Sequence, residues 1–225
     1  MFLFEEDRGS DSPFVETIWR TQSESAGTFL SRAVSSWEIV VMRQHNRTGI
    51  TVRGPETKAT TAHCPPNAEF VGITLKLGAF MPLLPTGDRL DGEVILPLAT
   101  KRSFWLNGSV WQFPDYDTAD TFVERLVRDG LLMREPLVDA ALQGHLKELS
   151  RRTIQRRFLR ATGLTLSFVR QIERARKAEV LLEQGISLLD TVLEAGYADQ
   201  SHLTRSLKRL IGQTPAQISA RSKSK

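Results

Sequence analysis

Cysteine is almost missing from this sequence: Cys64 is the single one among 225 residues. No internal disulfide can form, and one thiol without a cluster of histidines is not a zinc site. A reducing compartment is therefore the expected home. Cys64 stands beside two prolines with no adjacent cation, so nothing nearby would favour its thiolate and it reads as inert. Histidine is scarce too, with four residues. No apolar run approaches the roughly 18 residues that read as a membrane-spanning helix. The opening MFLFEEDRGS turns acidic after four positions, unlike a secretory leader. These absences predict a soluble, cytoplasmic protein without a membrane partner. Low-complexity stretches are absent as well, and only ARSKSK at the end reads as a frayed basic tail.

What is present is a divided charge. The net charge of +4 conceals 14 Lys and Arg against 19 Asp and Glu in residues 1–144, and 16 against 7 in residues 145–225. The front part is thus −5 and the last third +9, which predicts a polyanionic partner for the last third alone. The length suits two small domains.

Their characters differ. Between Thr28 and Leu106 the runs SWEIVVMRQ, GITVRG, ETKATTA and FVGITLKLG are β-branched and short, separated by HNRTG, GPE and CPPNA. Such spacing predicts an antiparallel sandwich or barrel. FMPLLPTGDRLDGEV carries Pro and Gly breaks and is expected to be irregular or to hold one short helix. In DTADTFVERLVRDGLLM the period becomes helical, with Phe122, Val123, Leu126 and Val127 on one face and Gly130 as a stop. The expected division is 1–115, a bridging helix and linker over 116–135, and a helical domain over 136–225. The fold class is α+β, with strands in front and helices behind.

The basic third resolves helix by helix. Ser150 is an N-cap candidate, and Ile154 and Phe158, four apart, share a face that can be buried. Arg152, Gln155 and Arg156 then point away, flanked by Arg151, Arg157 and Arg160. Like charges gathered on a helix repel, a cost that a phosphate backbone would offset. Gly163 ends this helix. A long one follows from Thr165 to Gly185, its stripe being Val169, Ile172, Ala175, Ala178 and Leu182. Next, Leu188, Leu189, Val192 and Leu193 are expected to form a buried face, and Gly196 permits a left-handed turn. Asp199 or Ser201 can cap the next helix, in which Leu203, Leu207 and Leu210 face inward. Ser201, His202, Arg205 and Arg209 then face outward. This is a helix-turn-helix pattern: polar groups at the start of the second helix suit base edges, and basic ones suit phosphates. TPAQI reads as a capping box with Pro215 at the first helical position.

GYADQSHLTRSLKRLIGQTPAQI, preceded by RTIQRRFLRATGLT and RARKAEVLLEQG, resembles the DNA-binding domain of AraC/XylS-type transcription regulators. The resemblance covers roughly residues 136–220. It implies two helix-turn-helix units joined by one long helix, with two recognition helices entering successive major grooves of double-stranded DNA. Carried over by position, base reading falls on Arg152, Gln155 and Arg156 in the first unit and on Gln200, Ser201, His202 and Arg205 in the second. Phosphate contacts are assigned to Arg151, Arg157, Arg160, Lys208 and Arg209. This chain departs from the family between Leu137 and Leu149, where 13 residues hold one helix or two stubs instead of two full helices. QGHLKEL is expected to be a shortened positioning helix.

In front, FVETIWR, WEIVV, RGPETKA and VGITLKLGAFMPLLP are similar in order to the cupin-like domain of one branch of these regulators. That implies a small antiparallel sandwich or barrel that senses a ligand, dimerises, or both. Cupin enzymes hold a metal through several His and a Glu, whereas this region offers His45 and His63 only, so neither metal nor cofactor is expected. Trp37, Phe104 and Trp105 are candidates for an apolar effector pocket, with core filling the competing role for these aromatics. The resulting expectation is a non-enzymatic transcription regulator, with DNA as partner and RNA polymerase and a small-molecule effector as further candidates. It would act as a monomer or a homodimer. The alternatives are a metal-dependent cupin-type enzyme or ligand-binding protein with a helical appendage, and an alkyl-acceptor repair protein, for which one cysteine is too few.

Overall fold

The computed structural model describes residues 2–84, 90–145 and 149–222. A β-rich front part is followed by a helical back part, the α+β order expected from the sequence. The main sheet has six strands in the order β1-β2-β7-β4-β5-β9. These are β1 (Phe2–Arg8), β2 (Val15–Ser23), β4 (Glu38–Gln44), β5 (Arg47–Arg53), β7 (Ala68–Leu75) and β9 (Glu93–Ile95). A separate two-stranded ribbon pairs β3 (Gly27–Ser31) with β6 (Thr60–Cys64). The three-stranded sheet of β10 (Leu98–Thr100), β11 (Ser103–Leu106) and β12 (Ser109–Gln112) completes the front part together with helix α1 (Ala119–Arg128).

The strands begin well before Thr28, where the sequence reading starts them. In β2 the pairing with β7 shifts register between Val15 and Thr17. Val15 and Ile18, three apart, are therefore both buried, and the two-residue alternation that betrays a strand is broken. Elsewhere the alternation holds. Ile39, Val41, Ile50, Val52, Ile73 and Leu75 all enter one core, joined by Trp37, Phe104 and Trp111. Helix α1 supplies Phe122, Val123 and Leu126 to the same core, with the Phe122 ring edge-on to Trp111 at 5.9 Å. The helix expected to bridge two parts thus belongs to the packing of the first. Trp37 and Phe104 are buried in this core while Trp105 is exposed, so the three proposed pocket residues do not share one environment. His45 occupies the β4–β5 turn at φ 52, and His63 is exposed on β6. Of FMPLLPTGDRLDGEV, the start pairs as β8 (Ala79–Phe80) and the end contributes to β9, while 85–89 lie outside the described residues.

On the other face of the main sheet the Trp19 ring lies over Gly72, where a Cβ would come within 2.0 Å of it. The indole Nε1 donates to Glu38 Oε1 at 2.9 Å, and the Thr74 hydroxyl donates to the same oxygen at 3.3 Å. Burial pushes the Glu38 carboxyl above its usual range, against the pull of Trp19 and Arg53. The folded protein then holds that proton to higher pH than the unfolded chain, so stability falls as pH rises from the unfolded value through the folded one. Glu38→Gln retains the acceptor oxygen and cannot ionise. Urea unfolding at several pH values between roughly 4 and 7 should show a shallower decline for the variant. An unchanged slope would remove Glu38 as its source.

Gly130, at φ 69, ends α1, and β13 (Met133–Arg134) crosses back to pair with β8. The helical part is α2 (Leu137–Leu142), α3 (Arg151–Thr162), α4 (Leu166–Glu183), α5 (Leu188–Glu194), α6 (Gln200–Leu210) and α7 (Pro215–Ser222). Its core is the stripe of α4 (Val169, Ile172, Ala175, Ala178, Leu182) packed with Phe158, Leu203, Leu207, Leu210 and Ile218. Ala33, from the front part, is fully buried in it, and Leu77, Phe80 and Leu90 pack against it. Two expectations fail here. Leu189 and Leu193 are 59% and 70% exposed, leaving Val192 and half-buried Leu188 to hold α5. Of the expected frayed tail ARSKSK, the first three residues belong to α7, with the Arg221 guanidinium reaching Gln213, Glu179 and Glu183, and 223–225 lie outside the described residues.

Candidate nucleic-acid interface

Helix α3 starts where Ser150 Oγ accepts the Thr153 amide at 3.2 Å and ends at Gly163, which turns left-handed at φ 71. Phe158 and Ala161 face the core and Ile154 is half-buried against it. That orientation leaves Arg151, Arg152, Gln155 and Arg156 exposed on the opposite side. Arg160 is exposed as well. Arg157 differs from the others, since its guanidinium makes two hydrogen bonds to the Glu135 carboxylate, at 2.5 and 3.0 Å. A phosphate contact from Arg157 would compete with that pair. Ahead of α3 stands α2, from PLVDAAL, which buries Leu137, Val138 and Ala141. Of QGHLKEL, Gln143 caps the end of α2, Gly144 follows at φ 74, and 146–148 lie outside the described residues.

The second unit is built more tightly. Ser187 caps α5 through the Asp190 amide at 3.1 Å, and Gly196 makes the turn at φ 72. Asp199, not Ser201, caps α6: its Oδ1 accepts the His202 amide at 2.7 Å. Tyr197 is buried under the turn, its hydroxyl 2.9 Å from Ser206 Oγ and its ring edge-on to His202 at 5.1 Å. His202 is half-buried in consequence, whereas Gln200, Ser201, Arg205, Lys208 and Arg209 are exposed. Leu203, Leu207 and Leu210 are fully inward, which fixes the direction of the others.

Two basic residues of α4 turn out to be structural. Lys177 Nζ donates to the Glu194 carbonyl at 2.6 Å, and Arg174 donates to the Gly196 carbonyl at 3.2 Å while lying over the Tyr197 ring. They satisfy orphan carbonyls at the C-terminus of α5, where a cation is favoured. Their spacing on α4 was visible in the sequence; their partners, some twenty residues on, were not.

The last carbonyls of α6 are satisfied from the β part. The Ala59 amide donates to the Arg209 carbonyl and the Ala33 amide to the Leu210 carbonyl, both at 2.8 Å. Leu30 and Ala59 press on Gly212, which sits at φ +84 just beyond the helix. Beside this junction Glu179 is only 3% exposed and takes Arg32 from the β part at 3.1 Å and Arg221 from α7 at 3.5 Å. Burial raises its pKa and the two guanidinium groups oppose the rise. Thr214 and Gln217 close the capping box of α7, with the Thr214 amide donating to Gln217 Oε1 at 2.8 Å. Among the described residues no group of three or more His, Cys, Asp or Glu is placed to hold a metal ion, and no helix is long and apolar enough to cross a membrane.

Two helices with polar outward faces, α3 and α6, standing on either side of the long α4, invite comparison with known proteins. A family model described as a helix-turn-helix domain matches residues 147–221. The HTH-type transcriptional regulator RipA of Corynebacterium glutamicum is 33% identical over 88 residues, which are 38% of this chain and 27% of that protein. The chain therefore spans about a quarter of that relative's length. Among solved structures, ToxT from Vibrio cholerae O395 overlays with a TM-score of 0.40 at 10% identity, covering 97% of each chain. A second ToxT structure from Vibrio cholerae gives 0.40 at 9%, covering 97% of this chain and 98% of the other. The matched segment agrees with the α3-to-α7 geometry, and the chain carries a helix-turn-helix domain over residues 147–221.

Proposed function

We propose that this chain binds double-stranded DNA at specific sequences and regulates transcription. The observation that carries the reading is the pair of polar, cation-bearing helix faces turned away from the core, Arg152–Gln155–Arg156 on α3 and Gln200–Ser201–Arg205 on α6. Both sit on helices whose other side is anchored by leucine or phenylalanine, so the polar side chains project together. Arg and Gln offer the bidentate donors and acceptors that discriminate guanine and adenine. Arg151, Arg160, Lys208 and Arg209 flank these faces and supply the sequence-independent attraction to phosphates. In this proposal α4 is the spacer between two base-reading helices. The β part carries an effector site or a dimer contact, acting through the ribbon that holds the end of α6, and RNA polymerase is the further partner that regulation requires. No catalytic step is assigned to any residue.

Enrichment of a randomised duplex pool on the full chain is the direct test, and failure to enrich any motif would sink the reading. The phosphate arm has its own signature. Lys208→Ala is expected to weaken the enriched duplex and a scrambled duplex alike, and to reduce the slope of log affinity against log salt by about 1. Titrations at several salt concentrations check it; an unchanged slope would place Lys208 off the backbone.

A further inference from the structure

Helix α3 carries one outward side chain that neither phosphate attraction nor hydrogen-bonded base reading accounts for. Leu159 is 48% exposed, between Phe158, which is buried, and Arg160, which is not. Seven residues at about 100° each return Leu159 to within roughly 20° of Arg152 on the helix circumference. It is also the i+4 and i+3 neighbour of Gln155 and Arg156, so the four side chains form one continuous ridge. Along the axis Leu159 stands about 10.5 Å beyond Arg152 and about 4.5 Å beyond Arg156. That span fits within a major groove about 12 Å wide. An isobutyl group can neither accept from nor donate to a base edge, and it has nothing to offer a phosphate. The apolar group that the major groove presents is the 5-methyl of thymine.

We infer that Leu159 is a specificity-determining residue that packs against a thymine 5-methyl, one or two base pairs beyond the pairs read by Gln155 and Arg156. The inference rests on the DNA-binding reading of this face and adds to it a base identity. Hydrogen-bonding readers set the neighbouring positions; Leu159 sets its own by shape and exclusion of water. Cytosine at that position lacks the methyl, and uracil lacks the methyl while keeping every hydrogen-bonding group of thymine.

The test uses the full chain and duplexes enriched from a randomised pool. Gln155→Ala first locates the α3 half-site, as the position whose preference it relaxes. Single thymine-to-uracil replacements are then made at and beyond that position, and affinities are measured by fluorescence anisotropy. One replacement is expected to weaken wild-type binding about fourfold, the equivalent of ~0.8 kcal/mol for one buried methyl. Leu159→Ala should abolish that loss at the same position, and Leu159→Met, which keeps an apolar contact, should retain most of it. A uracil penalty that persists in Leu159→Ala, or no thymine preference beside the Gln155 position, would overturn the assignment while leaving DNA binding intact. If wild-type chain enriches no motif at all, the DNA-binding reading falls and this inference with it.

Discussion

Arg205→Ala is expected to weaken binding to the enriched duplex roughly 5- to 150-fold, the ~1–3 kcal/mol that one bidentate base contact contributes. A scrambled duplex should lose far less. The difference follows from where α6 is held. Its first turn is fixed by Asp199 on the His202 amide, and its far end by the Ala59 and Ala33 amides on the Arg209 and Leu210 carbonyls. Arg205 lies between these anchors, exposed, on the face opposite Leu203 and Leu207. Removing its side chain opens no cavity, so a change in affinity reports the contact and not the fold. An unaltered thermal unfolding curve beside the affinity loss completes the measurement. Equal losses on both duplexes would make Arg205 a phosphate contact instead.

Gly212→Ala should cost about 1–3 kcal/mol of stability, from two sources. A residue with a side chain resists φ +84, and its Cβ would lie 2.7 Å from Leu30 Cδ1 and 3.0 Å from Ala59 Cβ. Leu30 is exposed and can swing aside. Ala59 cannot move without pulling its amide from the Arg209 carbonyl. The strain therefore passes into the junction between the β part and α6. Urea unfolding of Gly212→Ala, Leu30→Ala and the double variant separates the parts: the double variant should cost less than the sum of the singles, because contacting residues are not additive. Strict additivity would exclude the Leu30 contact and leave the backbone angle and Ala59 as the sources.

Most of the helical part could be read directly from the residues. Ser150, Thr165 and Asp199 are cap residues at helix starts, Gly163 and Gly196 mark stops, and the α4 stripe repeats at helical spacing; all depend on neighbours within one or two turns. The misreadings share the opposite property. Leu189 and Leu193 have the spacing of a buried face, but α5 is only seven residues long, and Val192 with Leu188 is enough to seat it. Arg221 belongs to a helix because Glu179 and Glu183, some forty residues earlier, receive it. β2 escaped notice because a register shift spoils its alternation. In the candidate interface the outward residues were legible from the positions of the inward ones, and Leu159 was passed over because it carries neither charge nor a hydrogen-bonding group.

The two amides that close the end of α6 are main-chain groups, and every amino acid except proline supplies one. Burial restricts what can stand at Ala33, but at Ala59, only half-buried, the donor survives almost any replacement. The link between the β part and the end of α6 is therefore written in backbone rather than in side chains. It can persist while the residues that form it drift, and it leaves no motif behind for a reader of the sequence to find.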